Sequence, residues 1–251
     1  MRTLITPEVM LACEGAHFAR TGEVSVDYME RAAHAIADIA LARFPEARRV
    51  YIACGPGGNG GDGYACARML HEAGINVALF PAAEARSPDA RCNADRAREM
   101  NIPFAAGDDP LPAPDMWIDA LYGTGLSRAP EGAAQRLIER MNAERARGAR
   151  ILATDIPSGL NGATGRAFSP AVRADVTAAL QYEKTGYYLE DGFDHCGEII
   201  CADVGFPRSA FPSALPRLMQ PRDLRALFAP RPRNLHKGRC GQLLIAAGSF
   251  G

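Results

Sequence analysis

The feature that most constrains this chain of 251 residues is the segment 55–63, in which six of nine residues are glycine. It follows the apolar run 49–54 and precedes a stretch whose apolar residues Cys66, Met69 and Leu70 share one helical face. Strand, glycine-rich turn and helix N-terminus is the arrangement in which backbone N–H groups and the helix dipole hold a phosphate. A tight turn needs only one or two glycines. We therefore predict positive φ angles or a close approach of this backbone to a ligand.

The two common nucleotide-binding loops fit this segment poorly. A G-x-G-x-x-G match begins at Gly55, but on its own that pattern is weak. A dehydrogenase would place an acid at the end of the next strand, and here 76–80 is followed by proline and two alanines before Glu84. A P-loop would place lysine and then serine or threonine after the glycines, where this chain has Asp62. The loop also carries Asn59, an oxygen ligand that plain phosphate loops lack.

Composition excludes several classes of protein. Apolar residues make up 47% of the chain, charged residues 23%, and the formal net charge is -1. These values are typical of a globular protein, and the near-zero net charge predicts no nucleic-acid partner. The sequence also contains no apolar run long enough to span a membrane. Pro7 and Glu8 interrupt the apolar start too early for a signal peptide. The seven cysteines lack C-x-x-C spacing, so we predict reduced thiols and a cytoplasmic location.

Apolar periodicity predicts an alternation of helices and strands. Helices are predicted within 1–22, from about 26 to 44, after the glycine loop, from about 87 to 100, and from about 131. Strands are predicted at 49–54, 76–80, 116–121, 151–154, 176–180 and 198–202. Ser25 or Asp27 is expected to cap the second helix. The predicted fold is a Rossmann-like, three-layer α/β/α domain with a doubly wound, mostly parallel sheet.

In such a sheet ligands bind at the carboxyl ends of the strands, where Asp119 and Asp155 stand. They should converge with the glycine loop. Asn59, Asp119 and Ser158 supply only hard oxygen atoms, which suit a hard cation and do not suit zinc. A strand-end aspartate that caps a helix is an alternative for Asp119. Ser158 is not in a G-x-S-x-G elbow and has no neighbouring histidine, which argues against a serine hydrolase.

Four segments together carry a family resemblance. The loop 55–63 resembles the signature loop of the NAD(P)H-hydrate epimerase family, the YjeF N-terminal domain, except that Gly58 stands where the family usually has a first asparagine. The run Asp-Ile-Pro-Ser-Gly at 155–159 is similar to a motif of that family. The loop 123–127 and the stretch 175–186 are similar to two further elements.

The resemblance implies an isomerase that interconverts the R and S forms of hydrated NADH and NADPH (NADHX and NADPHX) at C6. It implies a potassium ion that is bound by Asn59, Asp119 and Ser158 and fixes the loops. It also implies that the enzyme turns over no redox cofactor. Asp155 and Lys184 are the candidate catalytic residues. Lys184 is one of two lysines among 28 basic residues, although a solvated surface lysine is an alternative. The implied substrate-binding residues are Gly58, Asn59, Gly60, Gly61, Asp62, Gly123, Thr124, Gly125, Leu126, Ser127, Arg128, Ala129 and Asp155.

The end of the chain resembles a different domain. Residues 234–249 are similar to the opening of the ADP-dependent NAD(P)H-hydrate dehydratase domain, and 216–232 are rich in proline and arginine, as a linker would be. We expect 1–215 to be the epimerase domain, and 216–251 to be the linker and truncated start of a dehydratase domain. The chain would then be half of a bifunctional enzyme, normally fused to the dehydratase. We also expect a homo-oligomer.

Two other functions stay open at this point. One is a non-catalytic module of the same fold that binds a nucleotide or a protein. The other is an NAD-dependent oxidoreductase, which only the glycine loop favours. The joint presence of Asn59, Asp119, Asp155, Ser158 and Lys184 favours the enzyme over the binding module.

Overall fold

The computed structural model describes residues 1–107, 109–225 and Leu244. The chain divides into two units, one formed by Thr3–Pro216 and the other by Met1–Arg2 with the chain from Arg217 onward. The assignment of 216–251 to a linker and a truncated dehydratase domain remains a prediction, and its characteristic segment 234–249 lies, apart from Leu244, outside the described residues.

The large unit is built on a six-stranded sheet in which all neighbouring strands are parallel. The strands within the described residues are β1 (Arg2–Ile5), β2 (Arg49–Cys54), β3 (Asn76–Pro81), β4 (Met116–Ala120), β5 (Arg150–Thr154), β6 (Val176–Leu180), β7 (Glu183–Lys184), β8 (Glu198–Ala202) and β9 (Arg217–Leu218). The helices are α1 (Pro7–Thr21), α2 (Ser25–Arg43), α3 (Gly58–Glu72), α4 (Pro88–Glu99), α5 (Gly132–Arg145), α6 (Gly192–His195) and α7 (Pro221–Leu224). The sheet order is β3-β2-β4-β5-β6-β8.

The two faces of the sheet carry separate apolar cores because side chains alternate along each strand. In β2, Val50 and Ile52 pack with residues of α2, α3 and α4. Tyr51 and Ala53 face the opposite side, where they pack with residues of α5. Helices therefore cover both faces, and the predicted three-layer parallel α/β fold is confirmed.

The strand order reverses direction at β2. The chain passes from β2 outward to β3 and then returns to place β4 on the other side of β2. In a doubly wound sheet such a switch point opens a crevice at the carboxyl ends of the two strands, and ligands bind there. The glycine loop follows β2 and Asp119 lies near the end of β4, so both stand at this crevice.

Two expectations about local structure need correction. Neither β1 nor β7 was predicted, and they pair in parallel, with Leu4 opposite Glu183 and Ile5 opposite Lys184. These strands are too short to show an apolar repeat. The cap of α2 is also different, since Val24 is the N-cap residue and provides no side-chain hydrogen bond. The Ser25 hydroxyl instead donates to Asp89 Oδ2 at 2.6 Å.

The small unit contains β9 and α7, and the Met1 ammonium group donates to Asp223 Oδ1 at 2.7 Å within it. In the part of the chain that the structure describes, no helix is both long and apolar enough to cross a bilayer.

Candidate active site

The glycine loop after β2 packs directly against the loop after β4. The Gly55 N–H donates to the Ala120 carbonyl at 2.9 Å. A Cβ atom on Gly55 would lie 1.8 Å from the Leu121 carbonyl oxygen, and one on Gly60 would lie 1.8 Å from the Gly55 carbonyl oxygen. None of the six glycines has a positive φ. At Gly55 and Gly60 the close approach is to protein backbone, which differs from the predicted approach to a ligand.

The N-terminus of α3 remains available for an anion. Its N-cap residue is Gly57, and both Gly57 and Gly58 are exposed and face open space. The first amides of a helix have no intrahelical acceptor and point out of its N-terminus. The Gly61 N–H is the first that bonds back within the helix, to the Gly57 carbonyl at 3.1 Å. The amides that precede it can bind a phosphate oxygen.

Hydrogen bonds between Asp119 and Ser158 connect the ends of β4 and β5. The Ser158 hydroxyl donates to Asp119 Oδ1 at 2.6 Å, and the Ser158 N–H donates to Asp119 Oδ2 at 2.7 Å. The Tyr122 N–H donates to the Ser158 hydroxyl at 2.9 Å. Both Asp119 and Ser158 are fully buried. Burial raises the pKa of Asp119 to about 6, although the hydrogen bonds from Ser158 and Leu121 oppose this.

Asn59 reaches from α3 to the loop after β4. Its Oδ1 lies 3.2 Å from the position that a Cβ on Gly123 would occupy, so its amide rests on the loop after β4. Its Nδ2 atom is buried and has no hydrogen-bond partner among the described residues. The described residues also contain no group of three or more His, Cys, Asp or Glu side chains that could hold a metal ion.

Asp155 and Lys184 form a buried ion pair beside this region. The Lys184 ammonium donates to Asp155 Oδ1, to the Leu180 carbonyl at 2.9 Å and to the Tyr182 carbonyl at 3.0 Å. Lys184 is fully buried and Asp155 is only 6% exposed, so the alternative of a solvated surface lysine is wrong. Tyr187 also donates its hydroxyl proton to the Asp155 carbonyl.

The backbone of Asp155 is unusual. Its φ is +61°, in the left-handed region that residues other than glycine rarely adopt. The Leu180 N–H donates to Asp155 Oδ1 at 3.1 Å, and the Asp155 N–H donates to the Ala178 carbonyl at 2.9 Å. Strained residues that are held by their surroundings in this way concentrate at functional sites.

A cavity of about 470 Å³ opens over these groups. Its floor includes Asp155 and Lys184, and one wall is helix α1, which contributes Met10 and Glu14. The predicted site residues that line it are Gly58, Asn59, Asp62, Gly123, Thr124, Gly125, Leu126, Asp155 and Lys184.

A second cavity, of about 340 Å³, adjoins the first, since both are lined by Pro56, Tyr122, Gly125 and Leu126. The predicted residues Ser127, Arg128 and Ala129 line it, as does Arg86, which was not predicted.

Four predicted residues line neither cavity. Gly60 and Gly61 are buried in α3, and a Cβ on Gly61 would lie 2.5 Å from the Met29 methyl carbon. Asp119 and Ser158 lie beneath the surface of the site.

Glu14 is a site residue that sequence reasoning missed. It is half-buried on α1, and no described residue forms a hydrogen bond or ion pair with its carboxylate. Burial, reinforced by the negative charge of Asp155, raises the pKa of Glu14 to about 7, while Lys184 opposes the shift. Burial and the nearby charges of Asp155, Glu14 and Asp89 also raise the pKa of Asp62 well above its ordinary value. The only signal for Glu14 in the sequence was its position on a predicted helix.

Residues 25–186 match the family described as YjeF-related protein N-terminus. The chain is 36% identical over 201 residues to the NAD(P)H-hydrate epimerase of Limosilactobacillus fermentum, covering 79% of this chain and 95% of the relative. It is 33% identical over 236 residues to the bifunctional NAD(P)H-hydrate repair enzyme Nnr of Coxiella burnetii, covering 92% of this chain but 48% of the relative. The crystal structure of yeast ynu0, YNL200c, has the same fold, with a TM-score of 0.71, 18% identity and coverage of 82% and 91% of the two chains.

Proposed function

Because the chain belongs to the YjeF-related protein N-terminus family, and a relative that it covers almost fully is named an NAD(P)H-hydrate epimerase, we propose that it is an isomerase of nicotinamide nucleotide repair. It interconverts the R and S epimers at C6 of NADHX and NADPHX. The observation that carries this proposal is the buried Asp155–Lys184 pair on the floor of a cavity that is bordered by two glycine-rich loops.

The two adjoining cavities suit the two halves of a dinucleotide. The first amides of α3 and the loop at Gly123–Gly125 line the first cavity close to Pro56 and Gly125, which both cavities share, and amides of this kind bind a pyrophosphate. The hydrated nicotinamide then lies against Asp155 and Lys184. The adenosine half occupies the second cavity, where the guanidinium groups of Arg86 and Arg128 suit an anionic group such as the 2′-phosphate of NADPHX.

The chemistry needs proton transfer at the C6 hydroxyl. C6 is bonded to the ring nitrogen, so the nitrogen lone pair can expel the hydroxyl group and form an iminium ion. Water then adds to the opposite face. An acid must protonate the leaving oxygen and a base must accept a proton from the returning water. Asp155 performs one of these transfers, and the Lys184 ammonium group positions its carboxylate.

We also propose a potassium ion, which Asn59, Asp119 and Ser158 would hold. The buried Asp119 carboxylate has no cationic side chain within 4.0 Å among the described residues. The donor set contains oxygen and no thiolate or imidazole, which suits a hard cation. When bound, the ion supplies positive charge that balances Asp119 and the substrate phosphates. The side chains themselves hold the loops after β2, β4 and β5 in register.

A coupled assay tests the function. The protein is mixed with both epimers of NADHX and a dehydratase that consumes only the S form. We expect rapid consumption of both epimers, whereas the dehydratase alone leaves the R form. A protein that binds NADHX but leaves the R form intact would be a binding module. Reduction of NAD by an added substrate would instead indicate an oxidoreductase, a function that the missing acid at the end of β3 does not favour, since Pro81, Ala82 and Ala83 stand there.

Three properties remain predictions. The chain spans about half the length of the bifunctional relatives, so a connection to a dehydratase domain is tested by reading the gene beyond Gly251. A homo-oligomer is tested by light scattering of the purified protein. A cytoplasmic location is tested by fractionation of cells that express it.

A further inference from the structure

The mechanism above assigns one carboxylate and needs two proton-transfer groups. The cavity supplies a second carboxylate, Glu14, from a different wall. Asp155 lies at the end of β5, on the floor, and Glu14 projects from α1. Carboxylates that reach one cavity from separate elements are suited to act on opposite faces of a flat ring bound between them, which is what inversion at C6 requires.

The two carboxylates have contrasting surroundings. Asp155 accepts hydrogen bonds from the Lys184 ammonium and from the Leu180 N–H, both at its Oδ1 atom. No described residue donates to the Glu14 carboxylate, which is half-buried and close enough to Asp155 to be affected by its charge. Neighbouring carboxyl groups in such different environments commonly divide the roles of acid and base.

We propose that Glu14 is a second catalytic residue, which together with Asp155 holds the single proton that epimerisation needs. This inference rests on the proposed epimerase function. In one direction the C6–O bond breaks, its electron pair leaves with the oxygen, and that oxygen takes the Glu14 proton and departs as water. The nitrogen lone pair forms the N1=C6 double bond.

The second step completes the balance. Water forms a new C6–O bond on the opposite face, the N1=C6 electron pair returns to nitrogen, and the proton that water loses passes to Asp155. Glu14 is then charged and Asp155 is protonated. This is the form that acts on the opposite epimer, so the reverse reaction restores the starting form. No oxidant, reductant or further reactant is consumed.

This scheme has a pH signature. The raised pKa of Glu14, about 7, means that the shared proton is lost as pH rises past neutrality. The titratable and charged groups that adjoin Glu14 or line its cavity are Cys13, Tyr28, Asp62, Asp89, Asp155 and Lys184. We expect kcat/KM in both directions to fall together above pH 7, since their ratio is the equilibrium constant of the epimers.

The test compares Glu14→Gln with Glu8→Gln, since Glu8 is exposed on the same helix and lines neither cavity. We expect kcat of Glu14→Gln to fall by at least about 100-fold, with KM within about threefold, and the fall in rate above pH 7 to disappear. Glu8→Gln should match the unmodified protein, as should the melting temperatures of both variants. An unmodified protein without activity would refute the proposed function itself.

Unchanged kcat in Glu14→Gln, or a slower variant that keeps the same pH profile, would overturn the role of Glu14 while leaving the function intact. If Glu14→Gln fails to fold, Glu14→Asp decides the matter. That variant keeps a titrating carboxyl, so it should retain activity above that of a folded Glu14→Ala protein and keep a decline at high pH. Equal activity in those two variants would refute the proposal.

Discussion

The ends of β4 and β5 carry the same residue type in contrasting surroundings. At β4, Asp119 is fully buried and held by neutral donors, the N–H and hydroxyl groups of Ser158. At β5, Asp155 borders a cavity and is paired with the Lys184 ammonium. The neighbouring strands bring the two aspartates to one edge of the sheet, but only Asp155 can contact a molecule in the cavity.

This difference shows how burial and partners divide the roles of two similar carboxylates. Neutral donors orient the Asp119 carboxylate and leave its charge uncompensated, which favours a bound cation. A lysine compensates the charge of Asp155 and leaves part of its carboxylate open to the cavity. We therefore expect changes at Asp155 to act mainly on catalysis and changes at Asp119 to act mainly on ion binding and stability.

The largest expected effect is on catalysis in Asp155→Asn. The amide oxygen still accepts the hydrogen bond from Lys184, but the amide cannot take a proton, and the buried ammonium group loses its counter-charge. We expect kcat to fall by roughly 1000-fold, as for the loss of a general acid or base. The coupled epimer assay measures this, and the melting temperature monitors folding. A variant with normal kcat would remove Asp155 from the mechanism.

The next effect is on stability in Lys184→Met. Methionine fills a similar space but leaves the Asp155 carboxylate buried without a cation. Breaking a buried pair in this way costs about 3–5 kcal/mol of unfolding free energy. Chemical denaturation measures the loss. The double variant Asp155→Asn with Lys184→Met should recover much of it, because no uncompensated charge remains. A single variant as stable as the parent would show that the pair is not compensating charge.

These contrasts also show what the sequence could and could not predict. Apolar periodicity and the glycine loop predicted the parallel sheet, and the strand ends at Asp119 and Asp155 follow from it. The partners of those aspartates depend on tertiary contacts. Lys184, for example, pairs with Asp155 across 29 residues of the chain, and no local pattern encodes this contact. Glu14 escaped prediction because its helix has no motif, and only the folded chain brings it to the cavity.

A smaller effect is expected on thermal stability, where potassium should act differently on variants of Asp119 and Asp155. A ligand at ten to thirty times its dissociation constant stabilises a protein by about 1.4–2 kcal/mol. We expect the melting temperature of the unmodified protein to rise when potassium chloride replaces choline chloride at equal ionic strength. Asp119→Asn should lose this response, and Asp155→Asn should keep it. A response that survives in Asp119→Asn would place the ion elsewhere.

The smallest effect extends the comparison to a third carboxylate. No described residue donates a hydrogen bond to Asp62 or forms an ion pair with it, and burial among acidic neighbours raises its pKa well above the ordinary value. Folded protein therefore binds this proton more tightly than unfolded protein. Its contribution to stability must fall as pH rises from about 4, the ordinary pKa of aspartate, towards the raised value.

Asp62→Asn removes that loss. We expect it to raise the melting temperature at pH 8 by a few degrees and to change it little at pH 4. The matched control is Asp38→Asn, because Asp38 is exposed on α2 and lines neither cavity. Scanning calorimetry across this pH range measures both. If Asp62→Asn were equally destabilised at both pH values, the Asp62 side chain would contribute to stability through its packing and not through its charge. The argument from charge compensation would then apply to Asp119 and Asp155 but not to Asp62.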